Sequence, residues 1–133
     1  MKLPIKKLSE GKNIGWIAVL YTGVITLIFL MTLPETSPSG LSGGDKIVHV
    51  LIHLFLIFLW LQYFFIKKDQ RLLPKMIFVV FMATVAYGIL IEIFQHFFTD
   101  SRQADILDVA ANTMGALLGL LLFQLNNKPK TKL

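Results

Sequence analysis

The chain has 133 residues, of which 55% are apolar or aromatic and 16% are charged. A soluble domain of this size buries only about two thirds of the surface its unfolded chain exposes, and a typical globular chain carries about 25% charged residues, so the composition excludes an ordinary soluble domain and points to a membrane protein. With no Cys, any chemistry rests on carboxylates, His, Arg, Lys, hydroxyls or amides, and disulfides and thiolate metal sites are excluded.

In chain order, four apolar stretches are long enough to cross a hydrocarbon core, which takes about 20 residues at 1.5 Å rise each. They are Ile14–Leu33, Ile47–Ile66, Met76–Phe98 and Ile106–Leu125. In lipid every backbone group has to be paired within its own segment, which leaves helix as the practical option for such runs. The first stretch ends in Met31-Thr32-Leu33-Pro34 without a small-x-small cleavage pattern and is predicted to be a retained span. The Pro-, Ser- and Gly-rich segment Pro34–Gly44 is predicted to be a flexible connection, with Asp45 capping the second helix. The expectation is a single all-α domain over 1–133, an integral membrane bundle of four transmembrane helices.

Eleven of the thirteen Lys and Arg lie in the amino-terminal tail, the connection between the second and third spans, and the carboxy-terminal tail. Positive residues near span ends stay in the cytoplasm, so both termini are predicted to be cytoplasmic, in the plasma membrane. Topology alone explains this basic charge, and no nucleic acid is called for.

With that topology the unusual residues gather at one level, near the outer face. The second span begins with Asp45, Lys46, His49 and His53; the third ends with Glu92, Gln95 and His96; the fourth begins beside Arg102, Asp105, Asp108 and Asn112. At about 100° per residue, Asp45, His49 and His53 share an arc of about 80°. Thr84, Gly88, Glu92, Gln95 and His96 share about 120°, and Asp105, Asp108, Asn112, Gly115 and Gly119 about 80°. A charge facing lipid costs a few kcal/mol or more, and an ionisable residue inside a span is a functional candidate by default. The stripes are therefore expected to meet in a polar pocket opening outward. Ala111, Gly115 and Gly119 form a small-xxx-small stripe, expected to serve close helix packing within the chain, with a homodimer contact as the alternative to a monomer.

Three pieces of sequence resemble the VanZ-like family of small membrane proteins: Asp45-Lys46-x-x-His49, Gly88-x-x-x-Glu92-x-x-Gln95, and Arg102-x-x-Asp105-x-x-Asp108-x-x-x-Asn112-x-x-Gly115-x-x-x-Gly119. They extend over more than half of the chain. The resemblance implies a multi-pass bacterial membrane protein, in a family named for a member associated with low-level resistance to the glycopeptide antibiotic teicoplanin. His53 and His96 stand outside the shared pattern.

Three uses of the cluster are open at this point. As a binding site for a cell-envelope lipid, lipid-linked precursor or glycopeptide-type amphiphile, Lys46 and Arg102 would hold an anionic group, with Asp45, Gln95, Asp105 and Asn112 completing the site. As a membrane-embedded hydrolase or transferase, Glu92, Asp108 and His49 are the candidates for proton transfer, with no cofactor, or with zinc held by His49, His53, Glu92 and His96 as the weaker alternative. As a structural network, Arg102 would pair with Asp105 or Asp108, Glu92 with His49, and Asn112 with backbone, fixing helix register without chemistry.

Overall fold

The computed structural model describes residues 5–31, 42–99 and 105–127. Four helices account for nearly all of them: α1 (Ile5–Leu30), α2 (Ser42–Lys67), α3 (Pro74–Phe98) and α4 (Ile106–Asn126). All four are long and apolar enough to cross a membrane, and there is no strand among the described residues. The chain is an all-α, multi-pass membrane protein, as its composition predicts.

The helix ends follow local chemistry. Pro74 opens α3 at its first turn, where its missing N–H removes no helical bond. Asp105 caps α4 by accepting from the Leu107 amide at 2.8 Å. Asp45, predicted as the cap of α2, instead lies inside its first turn, because Ser42-Gly43-Gly44, expected to belong to the connection, is already helical. A carboxylate there still favours the helix dipole. The rest of the predicted connection, 34–41, lies outside the described residues. α1 begins well before the predicted span and carries Lys6, Lys7, Glu10 and Lys12, since a helix does not stop where the apolar run does. Between α2 and α3 the chain reverses through Asp69 and Gln70 in the left-handed region (φ 53° and 60°), and the Gln70 amide donates back to the Phe65 carbonyl at 2.8 Å.

α2 is the centre of the bundle, packed on α1, α3 and α4, while α1 and α4 do not meet among the described residues. Its closest neighbour is α4. A Cβ built on Gly115 would collide with the carbonyl oxygen of Val50, and one on Gly119 with that of Leu54 and the side chain of Ile57. The small-residue stripe therefore brings two helix backbones into contact within one chain, as the sequence predicts. One apolar core cluster, Ile57, Leu61, Val80, Ala116 and Phe123, fills the half of the bundle where α2 ends and α3 begins. A second, Ile25, Phe29, Leu56 and Ile91, seats α1. Hydroxyl and indole groups reinforce that seat: Tyr21 donates to the Ile52 carbonyl at 2.9 Å, Trp60 Nε1 donates to Thr22 at 3.2 Å, and the Thr26 and Tyr87 hydroxyls are 2.8 Å apart. Large apolar side chains such as Trp16, Leu20, Phe78, Phe97, Ile106 and Leu121 remain exposed around the outside, where lipid tails are their natural solvent.

Candidate functional site

The polar residues occupy the opposite end of the bundle, where α2 and α4 begin and α1 and α3 end. On α2 the i, i+4 row Asp45, His49, His53 sinks from the surface into the bundle: Asp45 is exposed, whereas both His are fully buried. α3 contributes Glu92 and Gln95, and α4 contributes Asp108 and Asn112, all four buried. The three stripes face one another at one level, as helical phase predicts.

His49 is the hub. Its Nδ1 lies 2.9 Å from Asn112 Oδ1 and 3.6 Å from Glu92 Oε1, and its Nε2 lies 3.9 Å from Asp108 Oδ2. Two carboxylates from different helices thus converge on opposite nitrogens of one ring. The Glu92–His49 proximity matches the expected pair, but Asn112, expected to bond backbone, turns its carbonyl oxygen to His49. His53 uses Nδ1 on the carbonyl of His49 at 3.1 Å, and its Nε2 has no hydrogen-bond partner among the described residues. Gly88 makes room for this arrangement, since a Cβ there would lie 3.0 Å from Asn112 Cβ and 3.1 Å from His53 Nε2.

At the surface the layer ends in charge. The Lys46 ammonium donates to Asp105 Oδ2 and to Asp108 Oδ1, both at 3.0 Å. Lys46, predicted to wait for an anionic ligand, already holds two of the chain's own carboxylates. The Leu107 amide, and after it the Lys46 ammonium, keep the Asp105 carboxyl below the usual carboxylate range. Arg102, the other predicted cation, lies outside the described residues.

The four residues considered for zinc do not come together. His96 is exposed, with its ring against Phe97, and Nδ1 of His53 is committed to the His49 carbonyl. A different set does assemble: Asp45, His49 and Asp108 each present one ligand atom, all within 4.8 Å of one another.

Sequence reasoning did not find the part played by α1. Gln95 Nε2 donates to the Phe29 carbonyl at 3.0 Å, and the Phe29 ring lies 5.0 Å from that of His49, so α1 closes one side of the layer. A backbone carbonyl and a Phe carry no polar signature, and only a preference of buried Gln for a partner hints at it. Below the layer, a cavity of about 460 Å³ runs between α1, α2 and α3, lined by Thr22, Trp60, Phe64, Met76, Val80 and Tyr87 among others. Tyr87 links the two regions, its ring 5.9 Å from that of His53.

Compared with known proteins, the chain matches the family described as VanZ/LLP1 over residues 12–127. That is most of its length, and the chain belongs to this family. No curated protein and no solved structure matches it.

Proposed function

We propose that this VanZ/LLP1 membrane protein recognises an amphiphile of the bacterial cell envelope, a lipid, lipid-linked precursor or glycopeptide-type molecule, at the outward-facing end of α2, α3 and α4. The positive-inside rule supports the orientation, with both termini in the cytoplasm. The observation that carries the reading is the Lys46–Asp105–Asp108 ion cluster, partly in solvent, set directly against the buried His49–Glu92–Asn112 layer, with Asp108 Oδ2 3.9 Å from His49 Nε2. Ionisable groups held at such depth between helices are expensive and mark functional sites.

The described ionisable groups at this end, His49, His53 and His96 apart, are one ammonium and four carboxyls, Lys46 against Asp45, Asp105, Asp108 and the buried Glu92. A headgroup therefore binds by exchange: its own cationic group takes a carboxylate, or its anionic group draws Lys46 away. Zwitterionic and amine-bearing headgroups suit this pattern best. The largely apolar cavity extends from Lys75 to Tyr87 on α3, about 18 Å of helix, and offers a place for the hydrocarbon portion of such a molecule.

A second reading is turnover, favoured by the position of His49 between Glu92 and Asp108. A ring that can pass a proton between two carboxylates is suited to general acid–base work on an envelope lipid.

The test is purification into native-lipid discs followed by mass spectrometry. The expected result is one amphiphile enriched over bulk membrane in the wild type and lost in Asp108→Asn, while both proteins remain inserted and helical. Bulk lipid composition in both would overturn recognition. Release of the headgroup from the enriched molecule, abolished in Glu92→Gln, would establish the second reading.

A further inference from the structure

We propose that Asp45, His49 and Asp108 form a binding site for a divalent transition-metal ion at the mouth of the polar layer. The site does not depend on amphiphile recognition. Three donors from two helices, one imidazole and two carboxylates, lie within 4.8 Å of one another. This is a donor set that suits zinc and its first-row neighbours.

The orientation of His49 is the independent observation. Its Nδ1 faces two oxygen acceptors, Asn112 Oδ1 at 2.9 Å and Glu92 Oε1 at 3.6 Å, so the proton of a neutral ring belongs on Nδ1. The lone pair then lies at Nε2. That nitrogen is fully buried, has no hydrogen-bond partner among the described residues, and points at Asp108 Oδ2 across 3.9 Å. A lone pair facing a carboxylate is repulsive, and a proton or a metal ion between them relieves it. The gap is too long for a hydrogen bond and fits two metal–ligand bonds of about 2.0–2.2 Å each at an open angle.

The surroundings match what metal-binding histidines require. A ligating His hands its other N–H to a carboxylate or amide oxygen, which fixes the tautomer and raises the basicity of the ligand; here Asn112 and Glu92 occupy that position. Asp45 precedes His49 by one helical turn and is exposed, which gives the ion a route in from solvent and leaves coordination positions open to water or a ligand. Lys46 is the competitor. It holds Asp108 Oδ1 at 3.0 Å, leaving Oδ2 for the metal, and its charge opposes a second cation at the same carboxylate.

The experiment uses the full chain in detergent, stripped with chelator and titrated with Zn²⁺ against a chromophoric competitor, with Co²⁺ as the spectroscopic probe. One ion per chain is expected, with cobalt absorption of tetrahedral or five-coordinate character. His49→Gln and Asp108→Asn should each abolish stoichiometric binding, and Asn112→Ala should weaken it by roughly tenfold, the usual outer-shell effect. Lys46→Gln should tighten binding by about tenfold or more, since the competing ammonium is gone. That gain needs no buried residue to be altered, so it remains decisive if the other variants fail to fold. His96→Gln should leave the titration unchanged. Absence of stoichiometric binding in the wild type, loss of binding in His96→Gln, or weaker binding in Lys46→Gln would overturn the site. Because no lipid enters the titration, its failure would leave amphiphile recognition standing.

Discussion

The two halves of the bundle are built from the same helices by the same spacing and filled with opposite chemistry. Along α2 the row Asp45, His49, His53, Ile57, Leu61 advances four residues at a time, with its buried members polar at one end and apolar at the other. α4 repeats the change from Asp108 and Asn112 to Ala116 and Phe123, and α3 from Glu92 back to Val80. At the apolar end each buried side chain is satisfied by any neighbour that fills space. At the polar end several are not fully satisfied: Nε2 of both His49 and His53 and Nδ2 of Asn112 are buried without hydrogen-bond partners among the described residues. Buried unsatisfied polar groups are costly, and a layer kept only to hold helices together would gain from replacing them. The contrast teaches that the apolar half is completed by packing alone, whereas the polar half leaves buried hydrogen-bonding atoms without a protein partner among the described residues.

Substitutions at matched levels sharpen this contrast. The largest effect is expected at the α2–α4 contact, which runs through both halves. Gly119→Leu would drive a side chain into the Leu54 carbonyl and Ile57 and should prevent assembly of the bundle, read as loss of the monodisperse species in detergent. Gly115→Ala and Gly119→Ala should each cost about 1–3 kcal/mol or more; similar costs at the two positions would show that the close approach serves both halves equally.

Next comes Ile57→Ala in the apolar half, expected to cost about 2 kcal/mol or more through the packing it removes. Gln95→Leu, which abandons the bond to the Phe29 carbonyl, should cost less, roughly 0.6 kcal/mol and at most about 1.7, the range for interhelical hydrogen bonds in membranes. The smallest effect is expected one turn from Ile57: His53→Leu removes a partly unsatisfied ring and should leave stability within about 1 kcal/mol of wild type, or raise it. Denaturant or detergent titration of unfolding measures all three. A His53→Leu variant destabilised as strongly as Ile57→Ala would break the contrast, since the polar layer would then be part of the scaffold.

Much of this was legible in the residues. Four apolar runs of sufficient length can only be helices in lipid, and the small-residue stripe of Ala111, Gly115 and Gly119 can only mean close approach. The polar stripes declared their shared face through helical phase, because a charge turned towards lipid is too costly to keep. What phase could not supply was partnership. Whether Lys46 awaits an anion or grips Asp105 and Asp108 depends on rotamers and on a separation between α2 and α4 that no spacing encodes. That Asp45, and not His53 or His96, gathers with His49 and Asp108 depends on the use of His53 Nδ1 on backbone and on His96 facing outward. α1 was illegible for a further reason: it meets the rest through Tyr21, Thr22, Thr26 and the Phe29 carbonyl, groups whose single bonds are invisible in hydropathy and charge.

The seating of both glycines of α4 against the backbone of α2 takes that pair out of reach of a second chain. Glycine stripes are the usual adhesive for helices of separate chains in a bilayer, and here that adhesive is already consumed inside the molecule. The side of α4 left facing outward carries Leu117, Leu118, Leu121, Leu122 and Leu125, bulky branched groups that hold a neighbouring backbone at arm's length. Any second copy approaching that side would meet a surface chemically equivalent to the tails it displaces.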